Sequence, residues 1–283
     1  MTNNSLNQNA GTTSLKDPVV DSKPDFDIAP GKVTERSASK RSTIQTRLSS
    51  YAVRLLAHMT PYIESEVLGL SSVVNSGDVC IDVGAAAGLY TLELSRLVGT
   101  TGKVLSVEPL TFAHPVLSRL LGVKLKPNVT PHTIALGADP GESYMRVPMR
   151  GNGTVTGRSF LAKGSSGLGS NSEFDQHMDV EVTVNTLDNL CTQENITRLD
   201  FIKIDIEGAE LPALIGGQKY IEKFKPAILI EIEARHLKRF DYTPEDIVNW
   251  MVERGYKMYY WEQRWKEAPK VVPTTRNYLF RVD

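Results

Sequence analysis

Four short apolar runs, VCIDV (79–83), KVLSVE (103–108), FIKIDI (201–206) and AILIEIE (227–233), alternate with segments of helical spacing, and this rhythm constrains the fold more than any other feature. Short apolar strands that alternate with helices build a parallel sheet covered on both sides. NVTPHTIAL (128–136) reads as a further strand, and helices are expected through Leu97, around Val116 to Leu121, and through Leu211 and Leu214. In TPEDIVNWMVERGY, Thr243 is placed to cap a helix that has Pro244 at its first position. YKMYYWE and RNYLFRV follow with no helix between them, so an antiparallel pair is expected at the end of the sheet.

Residues 1–40 are polar and read as a disordered tail, because so few apolar groups cannot offset the entropy of ordering. Residues 41–77 read as a helical extension, with Ile44, Leu48, Tyr51, Ala52, Leu55 and Leu56 at helical spacing. Asn75-Ser76-Gly77-Asp78 breaks the chain, and residues 78–283 form the main domain. Within it, residues 151–172 hold six glycines and five serines and read as a flexible insertion, a lid or an acceptor-side loop.

Thirty-two basic against thirty-three acidic residues leave a net charge of −1, without the broad positive field of a nucleic-acid binder. No nucleic acid is expected as partner. Lys32, Arg36, Lys40, Arg41, Arg47 and Arg54 make a locally basic run, which suits a solvated face. Cys80 and Cys191 match no metal-ligand spacing and read as buried free thiols. No apolar run approaches the ~18 residues that span a bilayer, so a soluble, cytoplasmic protein is expected.

In IDVGAAAGLYT (81–91) a strand passes into a helix through Asp82, Gly84 and Gly88. Glycines there permit a tight turn and close approach of a ligand to a helix amino terminus. The spacing is not that of dinucleotide enzymes, and an acid two residues before the first glycine suits a cationic ligand better than a pyrophosphate. S-adenosylmethionine (SAM) carries an ammonium and a sulfonium. Glu108 ends the second strand 24 residues after Gly84, where an acid can take both ribose hydroxyls.

With SVEP, VNTLDNL and DFIKIDIEGAE following in order, residues 76–235 resemble the FkbM family of SAM-dependent methyltransferases. The resemblance implies a Rossmann-like class I fold with a seven-stranded, mostly parallel sheet, antiparallel strands at its C-terminal end and helices on both faces. It also implies methyl transfer to a hydroxyl of a small molecule, such as a sugar, polyketide, glycolipid or other natural product. An N-methyltransferase and a non-catalytic SAM-binding scaffold are the alternatives. Asp82, Gly84, Ala85 and Gly88 match the cofactor loop, and Glu108 the ribose acid. The family's Asn after Gly-Ala is replaced here by Ala86.

Asp205, Glu207 and Glu210 match the family's acidic segment. Asp205 lies at the carboxyl end of a parallel strand, where open α/β sheets bind ligands. There a carboxylate can accept the hydroxyl proton or hold a divalent ion such as Mg²⁺, with Asp205, Glu207 and Glu231 as candidate ligands. Glu207 and Glu210 also suit the start of the next helix, and for Glu210 that structural reading is preferred. Lys203 shares a face with Asp205 and can pair with it. Glu231 and Glu233 end the following strand, and His236 is the best-placed of the five histidines to act as a base. Asp188 reads as a cap or turn residue, and Asp139 either reaches adenine or serves the Asp-Pro-Gly turn.

Overall fold

The computed structural model describes residues 64–110 and 126–283. The expected tail, the helix from Ile44 to Leu56, the basic run and the helical stretch around Val116 lie outside the described residues. A 3-10 turn over Ser65–Ser72 leads into β1 (Val79–Val83), α1 (Leu89–Val98), β2 (Lys103–Val107) and β3 (Val129–His132). Next come β4 (Ala135–Leu136), β5 (Gly141–Arg150), β6 (Gly153–Thr154), β7 (Phe160–Leu161) and β8 (Gln176–Asn185). The chain continues through α2 (Leu187–Gln193), β9 (Phe201–Ile204), α3 (Glu210–Ile215), α4 (Gln218–Phe224) and β10 (Ala227–Glu231). It ends with α5 (Ala234–Leu237), α6 (Pro244–Glu253), β11 (Lys257–Trp261), β12 (Trp265–Glu267) and β13 (Asn277–Arg281).

The main sheet has the order β12-β11-β13-β10-β9-β1-β2-β3. Its five strands from β3 to β10 are parallel, and β13 inserts antiparallel between β10 and β11. This is the Rossmann-like fold of class I methyltransferases with one strand more than the seven expected. The extra strand, β12, folds back on β11 and is tied down by tryptophans. The Trp265 ring meets Trp261 edge-on at 5.1 Å, and its indole N–H donates to the Gly69 carbonyl.

Strand alternation supplies both cores. Ile81, Leu105, Ile202, Ile228 and Ile230 face one layer with Leu211, Leu214, Ile221, Ile247 and Met251. Cys80, Val104, Phe201 and Leu229 face the other with Val67, Leu70, Leu92 and Val98. Cys80 and Cys191 are both buried and free. Thr243 caps α6 in a reciprocal capping box with Asp246, and Pro244 follows it.

The sequence reading missed a second sheet, β4-β8-β5-β6 with β7 also on β5, inserted between β3 and β9. NVTPHTIAL is therefore not one strand: 129–132 extend the main sheet and 135–136 start the second. The 151–172 segment, expected to be flexible, holds β6, β7 and two 3-10 turns. It is clasped to the main domain. Ser166 N–H donates to the Arg239 carbonyl at 2.6 Å and the Arg239 guanidinium reaches Ser170 Oγ at 3.2 Å, while within the segment the buried Asn171 donates to the Arg158 carbonyl. Arg239 also lies 4.1 Å over the Phe160 ring.

Candidate active site

A cavity of about 560 Å³ opens at the carboxyl ends of β1, β2, β9 and β10, within the usual range for small-molecule sites. Sheet order reverses between β1 and β9, so this is the switch point where open α/β sheets take ligands. Along the α1 side of the sheet, the buried apolar row Val104, Cys80 and Phe201 gives way two residues later to Ser106, Asp82 and Lys203, which sit side by side in register. An apolar floor thus turns polar where the strands meet the cavity.

Asp82 is buried, and the Thr91 hydroxyl of α1 donates to it at 2.5 Å while lying 3.0 Å from Ser106 Oγ. Burial pushes the Asp82 carboxyl up to about 6, against the opposing pull of Thr91 and Lys203. The loop leaving β1 is fixed by its own hydrogen bonds. Gly84 and Ala85 N–H both donate to the Val107 carbonyl, and Ala86 N–H donates to Glu108 Oε2 at 2.8 Å. Glu108 also accepts from Leu110 N–H, and burial raises its carboxyl although both amides oppose this.

Gly84 has φ of +79°, and a Cβ there would lie 1.8 Å from the Asp205 carbonyl, so only glycine lets β1 and β9 close at this point. Gly88 caps α1 in the left-handed region. Ala86 also has positive φ, +47°, a conformation asparagine tolerates better than alanine. The departure at Ala86 therefore costs backbone strain as well as a side chain.

At the end of β9, Lys203 is buried with its ammonium 3.3 Å from Asp205, 3.0 Å from Asn277 Oδ1 and 5.0 Å from the centre of the Tyr90 ring. Burial opposes its charge, but Asp205, Glu64, Glu231 and Asp82 more than restore it. The Asp205 side chain keeps 31 % exposure and lines the cavity. Burial raises its carboxyl, partly countered by Lys203. The carboxyl oxygens of Glu64, Asp205 and Glu231 approach within 4.8 Å of one another, and Tyr90 OH donates to Glu64 at 2.6 Å.

Glu207 does not open α3 as expected. It stands in the preceding turn with φ of +57°, and burial together with Glu231 and Asp205 pushes its carboxyl up to about 9. Glu210 accepts from the N–H groups of Ile206 and Gly208, so its carboxylate closes that turn; burial raises it to about 7. His236 on α5 is buried behind the cavity, with Nδ1 3.2 Å from Glu207 Oε2 and 3.8 Å from both Glu231 and Glu233. Burial lowers its pKa to about 4. Glu233 is shared by Arg235 and Arg276.

The structure therefore gathers Asp82, Gly84, Ala85, Glu108, Asp205, Glu207 and Glu231 around one cavity. His236 stands outside its lining. Asp139 is exposed, and its backbone carbonyl accepts from Lys163 Nζ at 2.9 Å, so its place is in the Asp-Pro-Gly turn and not at the cavity. Asp188 accepts from the N–H groups of Lys219 and Tyr220 and so caps the neighbouring helix α4. The metal candidates Asp205, Glu207 and Glu231 do not form one group: Asp205 joins Glu64 and Glu231, whereas Glu207 joins Glu231 and His236.

Sequence reasoning missed Glu64, Tyr90, Thr91, Ser106 and Asn277. Thr91 closes the quoted glycine loop, but its reach back to Asp82 has no local signature. The second sheet was missed as a cavity wall, which it supplies through Met145 and Leu161, beside Thr156, Gly157 and Ser159 of the clasped segment.

Among the described cavity-lining residues, Glu64, Asp82, Glu108, Asp205, Glu207 and Glu231 are acids and Lys203 alone is a base. Such a lining favours a cationic ligand, and Leu110, Ile134 and Leu136 offer an apolar face for a flat ring. SAM fits this donor set. Among the described residues no helix is long and apolar enough to cross a membrane.

Comparison with known proteins gives the same direction. The methyltransferase FkbM domain profile matches residues 82–258. No curated relative matches significantly. The structure is similar to the methyltransferase FkbM of Methylobacillus flagellatus KT, at 18% identity and a TM-score of 0.44, covering 87% of this chain and 57% of that one. It is also similar to a SAM-dependent O-methyltransferase from Thermotoga maritima, at 14% identity and a TM-score of 0.40, covering 78% and 66% of the two chains. Fibrillarin from Aeropyrum pernix, solved with natively bound SAM, matches at 15% identity and a TM-score of 0.40, covering 74% and 68%. With its glycine loop, acidic β9 segment and matched profile, the chain belongs to the FkbM methyltransferase family.

Proposed function

We propose that this chain is a SAM-dependent O-methyltransferase acting on a hydroxyl of a small molecule. The observation that carries the reading is the surplus of carboxyl groups in a cavity at the sheet's switch point, with Asp205 open to it. Bound SAM supplies an electrophilic methyl group on a sulfonium. Asp82 faces the ligand's ammonium end, Glu108 takes the ribose hydroxyls, and Leu110, Ile134 and Leu136 cover the adenine. Asp205 accepts the acceptor hydroxyl's proton, oriented by Lys203, which Asn277 holds in turn. The clasped 151–172 segment walls the acceptor side and excludes water.

The role of Asp82 has a pH signature. In the free protein burial, reinforced by Asp205, pushes its carboxyl up to about 6 although Thr91 and Lys203 lower it. A folded value above the unfolded ~3.9 means the folded chain holds the extra proton between about 4 and 6. Stability therefore falls as pH rises through that window and is level above it. A cationic ligand selects the ionised form, so binding releases this proton below pH 6. Calorimetry should show SAM affinity falling as pH drops from 6 to 5, by up to about tenfold per unit, with the slope much reduced in Asp82→Asn. Glu108→Gln should weaken SAM at every pH, by about 1.5–3 kcal/mol for a lost charged hydrogen bond. Unchanged affinity in both variants would remove the cofactor assignment.

A further inference from the structure

We infer a divalent first-row transition-metal site formed by Glu207, Glu231 and His236. Each presents one ligand atom, and the three atoms lie within 4.8 Å of one another, a spacing that one ion can bridge. The observation beyond a cluster of acids is the histidine. His236 is 2 % exposed, and neither of its ring nitrogens has a hydrogen-bond partner. Its Nδ1 lies 3.2 Å from Glu207 Oε2, and that oxygen also lacks a hydrogen bond. A buried imidazole and a buried carboxyl oxygen that face each other without bonding are ordinarily costly, and a shared cation satisfies both.

The donor set selects the ion class. Two carboxylates and one imidazole suit Mn²⁺, Fe²⁺, Co²⁺ or Zn²⁺, whereas Mg²⁺, one alternative the sequence left open, prefers an all-oxygen shell. Glu207 Oε2 and both His236 nitrogens are without hydrogen-bond partners, whereas Glu231 shares a side-chain hydrogen bond with Asp205 that the ion replaces. Glu233, also 3.8 Å from His236, is occupied by Arg235 and Arg276, and Glu210 by two backbone amides. Arg239 hydrogen-bonds the Glu207 carbonyl at 2.8 Å and Ser170, and acts on the Glu207 carboxylate only through its charge. The Nε2–H of the ligating tautomer stays without an acceptor, which is one cost of the site.

Glu207 and Glu231 line the cavity and His236 lies behind them, so the ion keeps open positions on the cavity side. In the proposed methyltransferase, those positions would take the acceptor hydroxyl and make it more acidic, while Asp205, released from Glu231 and still paired with Lys203, serves as base. This step rests on the proposed function; the binding of the ion does not.

The test is direct. After chelation and buffer exchange, the full chain is titrated with Co²⁺, read by visible d–d absorption, and with Mn²⁺, read by loss of the free-ion EPR signal. One ion per chain is expected, with binding weakened at least about 100-fold in His236→Ala and in Glu207→Gln, beyond the 10–100-fold typical of residues outside the ligand set. Asp205→Asn should keep the ion. No saturable binding to the wild-type chain overturns the site, as does binding that survives both ligand variants. SAM titrated into the same chelated protein separates the two readings, because SAM binding without any metal signal removes the ion and leaves the methyltransferase standing.

Discussion

Asp205→Asn is expected to retain the fold and most SAM affinity while losing about 10² or more in turnover, the usual scale for a lost general base. The expectation comes from how the residue is held. Asp205 N–H donates to the Val83 carbonyl, which ties β9 to β1, and asparagine keeps that bond. Its side chain meets Lys203 and Glu231 and lines the cavity. Lys203 also keeps Asn277 as a partner, so the ammonium is not orphaned by the change. Turnover in single-turnover assays close to the wild-type value, or unfolding of the variant, contradicts the catalytic role.

Gly84→Ala should have the largest effect on stability. Its φ of +79° costs an alanine about 1–2 kcal/mol, and the new methyl would sit 1.8 Å from the Asp205 carbonyl, so the strands must part. Forced overpacking adds about 1–3 kcal/mol, for a total of roughly 2–5 kcal/mol. Gly151→Ala is the control, because Gly151 has φ of +58° and nothing within 4 Å of a new Cβ. Urea midpoints should drop for both but much further for Gly84→Ala. Equal drops would mean that close approach of β1 and β9 is not what the glycine serves.

The main sheet was legible because its central strands are buried on both faces, so each is a short apolar run with few polar interruptions. The polar interruptions were informative in turn: Asp82, Lys203 and Asp205 break those runs where the strands leave the core. The second sheet was harder to see. β5 and β8 are partly exposed, and their apolar residues are diluted by charge. The signal exists, since Val180, Val182 and Val184 alternate with Glu181 and Thr183.

Glycine and serine content also hid the short strands and 3-10 turns of the 151–172 segment. Flexible composition does not decide the outcome when an arginine elsewhere supplies the contacts, as Arg239 does here. For the same reason, the pairing of Glu207 with His236 was invisible in sequence. It depends on a left-handed turn at Glu207 and on Gly208 lying so close to the His236 carbonyl that a Cβ would approach to 2.4 Å.

The central claim is that this acid-lined cavity takes SAM. Isothermal titration of the purified full chain with SAM and, separately, with NAD tests it most directly. The account predicts saturable SAM binding at one molecule per chain, no measurable heat with NAD, and weakened SAM binding in Glu108→Gln. Saturable NAD binding with no response to SAM would contradict it.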